Sequence, residues 1–265
     1  MTPQPFVREA GSGPGVVCIH SNASSSSQWR GLMDLLSPHW HVMAPDSYGS
    51  GKSPDWHSSR EISLADEVAL VAPLLAGPGG PVVLVGHSYG AAIALKAALM
   101  HPGRVRALAL YEPTLFSLID AQGPPPNEAD GIKGAVHAAA AALDRADPDA
   151  AAQAFIDYWM GPGSWAATPP ARKPPIATSV ANVRRWAHAL VTEPAPLAAF
   201  RALDIPVLYM VGDRSTASAH GVARVLLPAL PRAQALRFEE LGHMGPITHP
   251  DTVNAAIQKF LADAA

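Results

Sequence analysis

A serine between two glycines has the setting in this chain that most favours covalent chemistry. Gly86-His87-Ser88-Tyr89-Gly90 follows the apolar run VVLV and precedes the Ala- and Leu-rich segment AAIALKAAL. These flanking patterns predict a buried strand, a sharp turn at the serine and then a helix. Glycine is needed on both sides because a larger side chain would meet the neighbouring strand or helix. We therefore predict that Ser88 is a nucleophile at a helix N-terminus, where backbone amides stabilise negative charge.

A nucleophilic serine needs a base, and eleven histidines compete for that role. His243 lies in a glycine-flanked loop beyond the last predicted strand, where no apolar pattern requires it. We predict that it takes the proton from Ser88 and later returns it. We expect His249, which precedes a proline at a helix start, to be solvated. His87 is expected to pack behind the serine, and His20 to support a neighbouring loop through hydrogen bonds.

The elements that must position these residues alternate along the chain. Short runs of β-branched and other apolar residues predict strands at 15–20, 41–46, 81–88, 105–113, 204–213 and 233–241. Helical patterns separate or follow these runs at 25–36, 61–76, 89–101, 217–230 and 250–263. Such alternation predicts an α/β fold with a mostly parallel central sheet and helices on both faces.

One long interval, 115–203, breaks this alternation because it contains no convincing strand. Proline-rich turns separate helical patterns at about 131–145, 148–160 and 176–192. An interval of this length with helices of its own is typical of a functional lid. The predicted organisation is therefore an inserted helical cap at 115–203 on a core formed by 1–114 and 204–265.

Four segments, in this order along the chain, resemble motifs of the α/β-hydrolase family. They are CIHSNASSSSQWRGL after an early strand, APDSYGSGKSP after the next, GHSYGA at the serine, and ELGHMGPITHP after the last strand. The resemblance covers nearly the whole chain, and 115–203 falls where the family places its cap. It implies the α/β-hydrolase fold and an esterase-like activity, with Ser88 as nucleophile and His243 as base.

Attack by a serine creates an oxyanion, which needs two preorganised N–H donors. The turn after the nucleophile supplies the amide of Tyr89, and the resemblance implies the amide of Asn22 as the second donor. The chain departs from the family at Ser21, where glycine is usual, so a side-chain contribution from Ser21 or Asn22 stays open. In the cap, Trp159 and Trp186 are predicted to bind an apolar or aromatic substrate.

The acid that orients the histidine is the least determined part of the site. In the family it usually stands three residues after the glycine of YMVGDRST, and Ser215 occupies that position. Asp213 lies two residues too early, whereas Glu112 ends the run ALALYEP, which is expected to adjoin the strand before the nucleophile. Some α/β-hydrolases carry the acid on that earlier strand. We predict Glu112 and keep Asp213 as the alternative, with Ser215 able to hydrogen-bond the histidine in either case.

Composition excludes several classes of protein. The chain is 48% hydrophobic and 15% charged, which favours a large buried core. A net charge of −3 argues against nucleic acid as a partner. The single cysteine, Cys18, has no partner for an internal disulfide. With no signal-peptide pattern and no apolar run of ~20 residues, we expect a cytoplasmic protein without a membrane span.

Cofactor chemistry is not implied by the sequence. Gly51-Lys52-Ser53 ends like a phosphate-binding loop, but Asp46 stands where that pattern requires its first glycine. No metal site or organic cofactor is predicted, and the expected partner is a small-molecule ester, with a homo-oligomer left open.

Three classes of function remain for this pattern. The leading hypothesis is a serine hydrolase that cleaves a carboxylic ester or thioester through an acyl-enzyme. The same fold also supports C–C bond hydrolysis, perhydrolysis or hydroxynitrile lyase chemistry. A non-catalytic ligand-binding sensor with the cap as a lid is the third. Dehalogenase and epoxide hydrolase activities are disfavoured because those relatives use Asp where Ser88 stands.

Overall fold

One seven-stranded sheet forms the centre of the protein. The computed structural model describes residues 4–77, 79–194 and 196–263. Its strands are β1 Val7–Ala10, β2 Gly15–Ile19, β3 His41–Pro45, β4 Val82–His87, β5 Val105–Tyr111, β6 Val207–Gly212 and β7 Ala233–Phe238. They lie in the order β1-β3-β2-β4-β5-β6-β7, and only the β1–β3 pair is antiparallel among those described. The mostly parallel α/β sheet that the sequence predicted is confirmed.

Thirteen α-helices surround this sheet within the described residues. In chain order they are α1 Arg30–Leu36, α2 Leu64–Leu75, α3 Tyr89–Met100, α4 Ser117–Asp120, α5 Asp130–Asp144, α6 Pro148–Met160, α7 Ser164–Ala167, α8 Lys173–Val180, α9 Val183–Val191, α10 Leu197–Arg201, α11 Ala217–Leu226, α12 Gly245–Thr248 and α13 Pro250–Asp263. Short 3₁₀ helices occupy Ser26–Trp29, Pro170–Arg172 and Leu227–Ala229. No described helix is long and apolar enough to cross a bilayer.

The central strands are buried on both faces because helices cover each side of the sheet. Successive side chains of β4 alternate between two apolar clusters, as the period of two along a strand requires. Val83 and Val85 pack in the cluster that contains Trp29 from the 3₁₀ helix and Phe260 from α13. The intervening β4 side chains belong to the opposite cluster, which includes α2, α3 and much of the helical insertion. The serine turn at the end of β4 is thus held by a core on each face of the sheet.

An inserted helical region follows β5. The described residues between β5 and β6 form no strand, and the predicted patterns at 131–145 and 148–160 correspond to α5 and α6. The α6 N-terminus is capped by Asp147, whose side chain accepts a hydrogen bond from the Ala150 amide. The pattern predicted near 176–192 forms two helices, α8 and α9, instead of one. The exact limits 115–203 for the cap, and the core limits 1–114 and 204–265, stay predictions; residues 1–3, 78, 195 and 264–265 lie outside the described residues.

Polar contacts fasten the insertion to the core at separated points. Lys96 on α3 donates to Glu193, just after α9, over 2.6 Å, and the glutamate is almost fully buried. Tyr158 on α6 shares a 2.7 Å hydrogen bond with Ser218 on α11. The second contact fixes the position of α6, which carries one of the predicted substrate-binding tryptophans.

Strand β1 was not predicted. Its sequence is VREA and its exposure is mixed, so it lacks the apolar pattern of the central strands. It forms at the sheet edge by antiparallel pairing with β3, a long-range interaction that its own composition does not signal.

Candidate active site

Ser88 lies in a strained turn between β4 and α3. Its backbone has φ 57° and ψ −116°, a region that residues with a side chain rarely adopt. A Cβ on Gly86 would come within 2.5 Å of the Ala91 backbone, and one on Gly90 within 2.2 Å of the Ile19 carbonyl. The two glycines are therefore required by close packing on both sides of the serine, which is the reason the sequence motif gave for them.

A continuous line of hydrogen bonds joins Ser88, His243 and Glu112. The Ser88 Oγ and His243 Nε2 are 2.9 Å apart, and His243 Nδ1 lies 2.6 Å from Glu112 Oε2. The three side chains are nearly or fully buried, with 5%, 2% and 0% relative exposure. Because a carboxylate only accepts, His243 Nδ1 carries the proton and Nε2 is free to accept from the serine hydroxyl.

Glu112 is held in place by two further donors. Its Oε1 accepts from the Gly212 amide at 2.7 Å and from the Ser215 hydroxyl at 2.5 Å. Its backbone φ of 46° places it among four described non-glycine residues with positive φ, of which Ser88 and Ala23 also belong to this site. Ser215, at the position where the family usually has its acid, thus donates to the carboxylate and not to the histidine.

Asp213 is not brought to His243. Its carboxylate accepts a 2.8 Å hydrogen bond from Arg237 Nε on the neighbouring strand β7, and its side chain is about one-third exposed. Of the two carboxylates that the sequence left open, the fold brings Glu112 into contact with the histidine and directs Asp213 to the surface.

The loop after β2 is fixed by His20. Burial lowers the pKa of His20, so the imidazole is neutral at pH 7. Its Nε2 accepts from the Ser47 amide at 3.1 Å, and its Nδ1 therefore donates to the Ser21 carbonyl at 2.7 Å. In a trans peptide the carbonyl and the following N–H point in opposite directions. The His20 contact thus turns the Asn22 amide away from His20.

Two free amides lie near the serine. The described residues offer no hydrogen-bond acceptor to the Asn22 amide. The Tyr89 amide begins α3 and so lacks an intrahelical acceptor. Asn22 and Ser88 line the same cavity. Ser21, where the family has glycine, does not have a positive φ, so its backbone does not require glycine.

Sequence reasoning missed a polar pair behind the site, formed by His87 and Gln28. His87 Nε2 contacts the backbone carbonyl of His243 at 2.8 Å, and its Nδ1 contacts Gln28 Nε2 at 3.1 Å. Burial, followed by the influence of nearby His243, lowers the pKa of His87 well below its ordinary value. His87 was expected to pack behind the serine, and it does so, but nothing in the sequence marks Gln28 as its partner.

A second buried acid lies on the other side of the turn. Glu67 on α2 accepts from the Tyr89 hydroxyl at 3.2 Å and from the Tyr48 amide at 3.3 Å. Burial raises the pKa of Glu67 to about 8, although both hydrogen bonds act in the opposite direction. This carboxyl is therefore largely protonated at neutral pH and supports the residue that follows the nucleophile.

The loop that contains Gly51-Lys52-Ser53 is a structural turn organised by Asp46. The buried Asp46 carboxylate accepts from the Ser26 amide at 2.6 Å and from the Lys52 amide at 2.9 Å. A Cβ on Gly51 would come within 2.1 Å of this carboxylate. The aspartate that breaks the phosphate-loop pattern is thus the residue that joins this turn to the segment after β2.

A cavity of about 990 Å³ opens over Ser88 and His243. One wall comes from the loop after β2 and carries Asn22 and several serines. An apolar wall comes from the insertion and from α12, and its members include Phe155, Ile156, Trp159, Met160, Ile176 and Ile247. The cavity can accommodate a substrate with a sizeable apolar part next to the serine.

The two predicted substrate-binding tryptophans have different positions. Trp159 lines the cavity and stacks on the His243 ring, with the ring centroids 3.8 Å apart and an interplanar angle of 21°. Trp186 is not among the described residues that line the cavity. It is buried and packs against Phe155 at a centroid distance of 6.0 Å, so it lies behind the apolar wall and supports it.

Metal ligands do not cluster in the part of the chain that the structure describes: no three His, Cys, Asp or Glu side chains there are placed to hold an ion.

The fold and the serine turn define an α/β hydrolase: the sequence pattern of the alpha/beta hydrolase fold matches residues 14–250, and the chain belongs to this family. It is 33% identical to lipase LipV of Mycobacterium tuberculosis, over 94% of each chain. It is 28% identical to 2-hydroxymuconate semialdehyde hydrolase of a Pseudomonas species, over 98% of this chain and 87% of the relative. Among solved structures, an alpha/beta hydrolase from Sphaerobacter thermophilus is similar, with a TM-score of 0.74 and 25% identity over 97% of this chain and 95% of that one.

Proposed function

We propose that the protein is a serine hydrolase that cleaves a carboxylic ester of a small to medium, mainly apolar substrate through an acyl-enzyme. The observation that carries this proposal is the hydrogen-bond line from Ser88 through His243 to Glu112, with distances of 2.9 and 2.6 Å. A serine hydroxyl is a weak nucleophile by itself, and an adjacent base with an oriented tautomer activates it.

The first half of the reaction forms the acyl-enzyme. Ser88 Oγ attacks the ester carbonyl carbon while its proton moves to His243 Nε2. Glu112 keeps the histidine in the productive orientation and stabilises the imidazolium that forms. The carbonyl oxygen becomes an oxyanion and accepts hydrogen bonds from the amides of Asn22 and Tyr89. Collapse of this intermediate breaks the bond to the alkoxy oxygen, which leaves as the alcohol after taking the proton from His243.

The second half uses water in place of serine. His243 takes a proton from a water molecule, and the hydroxide oxygen attacks the acyl carbon in the same oxyanion site. Collapse then returns the proton to Ser88 Oγ and releases the carboxylic acid. A thioester would follow the same steps with a thiol as leaving group.

Two further observations support an ester substrate. The apolar wall of the 990 Å³ cavity lies beside the serine. The relative that is 33% identical over almost its full length is a lipase. The apolar wall suits an acyl or alkyl group, and its removal from water contributes roughly 25 cal/mol per Å² to binding.

C–C bond hydrolysis is the second candidate, because the chain is also similar to 2-hydroxymuconate semialdehyde hydrolase over 98% of its length. This reaction would use the same serine, histidine and oxyanion donors on a different carbonyl substrate. Perhydrolysis, lyase chemistry and ligand sensing have no comparable observation in their favour.

A fluorophosphonate probe and a series of p-nitrophenyl esters test the proposal together. We expect the probe to label wild-type protein and not Ser88→Ala, and ester turnover to depend on acyl length because the cavity has a finite apolar wall. Failure of the native protein to react with the probe would refute a nucleophilic Ser88. Labelling without turnover of any ester, combined with cleavage of a vinylogous 1,5-diketone, would replace ester hydrolysis with C–C hydrolysis.

A further inference from the structure

Two loops essential to the proposed function are joined through the side chains of Gln28 and His87. Gln28 lies in the 3₁₀ helix Ser26–Trp29. Its Oε1 accepts from both the amide and the hydroxyl of Ser21, each at 3.1 Å. Its Nε2 lies 3.1 Å from His87 Nδ1, and His87 Nε2 lies 2.8 Å from the His243 carbonyl. The contacts run without a break from the loop of the oxyanion donor to the loop of the base.

The direction of every hydrogen bond in this series of contacts follows from which atoms can donate and which can only accept. The His243 carbonyl can only accept, so His87 Nε2 carries a proton. His87 is neutral, because burial lowers its pKa well below the ordinary value, and its Nδ1 must therefore accept. The Gln28 amide nitrogen donates to it, which leaves the Gln28 oxygen for the two Ser21 donors. A flipped amide would place its N–H against the Ser21 N–H and its oxygen against the His87 Nδ1 lone pair, so both of those hydrogen bonds would be lost.

The two ends of this hydrogen-bond series, at Ser21 and at the His243 carbonyl, lie next to functional atoms. Ser21 immediately precedes Asn22, whose amide is the proposed oxyanion donor, and its carbonyl is held by His20 at 2.7 Å. Gln28 holds the amide side of the same residue. At the other end, the hydrogen bond to the His243 carbonyl holds the backbone of the base itself. Neither Gln28 nor His87 needs to touch a substrate to affect the reaction.

We propose that Gln28 is a positioning residue that sets the oxyanion loop and the histidine loop relative to each other, with His87 as its neutral relay. The inference rests on the proposed function, since the loops matter together only if Ser88 is acylated. It also accounts for Ser21, because the hydroxyl that replaces the family's glycine hydrogen supplies one of the bonds to Gln28.

The first test separates hydrogen bonding from packing by changing Gln28 to Met, which has a similar length and no polar head. Gln258→Met, on the exposed side of α13, is the matched control. For Gln28→Met we expect kcat on a p-nitrophenyl ester to fall about 5- to 100-fold with KM within about threefold of wild type, because the loss falls on the transition state. A kcat within about twofold of wild type would overturn the inference.

The second test uses Gln28→Glu, which keeps the acceptor for Ser21 and lacks the N–H that His87 Nδ1 requires. When either the introduced carboxylate or His87 takes up one proton, a hydrogen-bond donor is again present between the two groups. We expect the kcat of Gln28→Glu relative to wild type to rise as pH falls, and the ratio for Gln28→Met to stay flat. The groups that face His87 are His243, His20 and the ring of Tyr111. They are present in wild type and in both variants, and the flat ratio expected for Gln28→Met is the control for their contribution. If the kcat ratio of Gln28→Glu to wild type does not change with pH, only the packing of residue 28 matters, and the role of His87 as a relay is contradicted.

A measurement that does not depend on turnover tests the inference independently of the proposed function. In ¹⁵N-histidine-labelled protein, His87 should be the Nε2–H tautomer with unprotonated Nδ1, and Gln28→Met should perturb the Nδ1 resonance while leaving that of His249 unchanged. If wild type is inactive but this pattern is found, the proposed function falls and the relay remains. An Nδ1–H tautomer in wild type would refute the relay regardless of activity.

Discussion

Replacing Glu112 with Gln tests the acid by changing one atom type in a site whose hydrogen-bond directions are known. Glu112 Oε1 accepts from the Gly212 amide and from the Ser215 hydroxyl, at 2.7 and 2.5 Å. These donors require an oxygen, so the glutamine nitrogen must face His243 Nδ1. The introduced N–H then forces Nδ1 to be the acceptor and moves the histidine proton to Nε2, opposite the Ser88 hydroxyl. That tautomer cannot take the serine proton.

The expected loss follows from two effects. The imidazolium that forms in the transition state loses its carboxylate partner, and removal of one partner from a buried charge pair costs about 3–5 kcal/mol. At 1.36 kcal/mol per tenfold change this corresponds to about 10²–10⁴ in rate. The reversed tautomer acts in the same direction, and the corresponding substitution in serine proteases lowers kcat by about 10⁴. We therefore expect kcat for Glu112→Gln to fall by about 10³ to 10⁴ while the protein stays folded.

Steady-state hydrolysis of a p-nitrophenyl ester, together with thermal unfolding, measures both quantities. Asp213→Asn is the matched control, because it changes a carboxylate two positions from Ser215 that pairs with Arg237 at the surface. We expect this control to remain within about twofold of wild type, since exposed ion pairs contribute about 0–1 kcal/mol. A Glu112→Gln enzyme within tenfold of wild type, or an Asp213→Asn enzyme that is a thousandfold slower, would refute the reasoning.

Three other changes follow from contacts around the site. Trp159→Ala should lower kcat about 2- to 30-fold, because the indole that stacks on His243 stabilises positive charge by about 0.5–2 kcal/mol. Trp159→Phe should retain most of the wild-type kcat. Equal losses of kcat for the two variants would exclude stacking as the cause. Glu67 has a folded pKa of about 8 and an ordinary value of 4.5. The folded state therefore keeps a proton that the unfolded state loses between these values, and the free energy of unfolding should fall by a few kcal/mol as pH rises through this window. Urea unfolding of wild type and Glu67→Gln across this range should show that extra slope in wild type alone, and parallel curves would contradict it. Glu193→Gln should destabilise the protein by about 3 kcal/mol, because Lys96 is left without its charge partner. The double variant Lys96→Met with Glu193→Met should recover much of this lost stability, as measured by thermal unfolding. A double variant less stable than Glu193→Gln would contradict this.

Local sequence patterns predicted the parts of the molecule that depend on neighbours along the chain. The β4 strand, the Ser88 turn and α3 follow from an apolar run, two glycines and an Ala- and Leu-rich segment in direct succession. The choice of Glu112 over Asp213 as the residue beside the histidine rested on position along the chain, because Asp213 lies two residues before the usual place of the acid and Glu112 ends the strand expected to adjoin β4. Their relation to His243 depends on loop geometry, which only the structure shows.

Contacts between distant segments account for what the sequence could not predict. Gln28 and His87 are 59 positions apart and meet only after the sheet forms. Trp159 and Trp186 are both aromatic residues of amphipathic helices in the insertion, and the rotation of each helix decides which ring lines the cavity. Strand β1 has no apolar pattern and exists because β3 offers an unpaired edge. In each case the missing information is tertiary packing.

The positive φ angles at Ala23, Ser88 and Glu112 link activity to thermostability. Each such residue costs of order 1–3 kcal/mol, while a whole domain is stable by about 5–15 kcal/mol. The site therefore consumes a substantial share of the folding free energy of the protein. A screen that selects only for heat resistance should consequently accept glycine at Ala23 and Ser88, where strain is relieved and preorganisation is lost. At Glu112 the same change would leave the Gly212 amide, the Ser215 hydroxyl and His243 without their acceptor, so no gain is expected there. Screens that select for melting temperature and turnover together should find their gains elsewhere, in surface loops and helix termini.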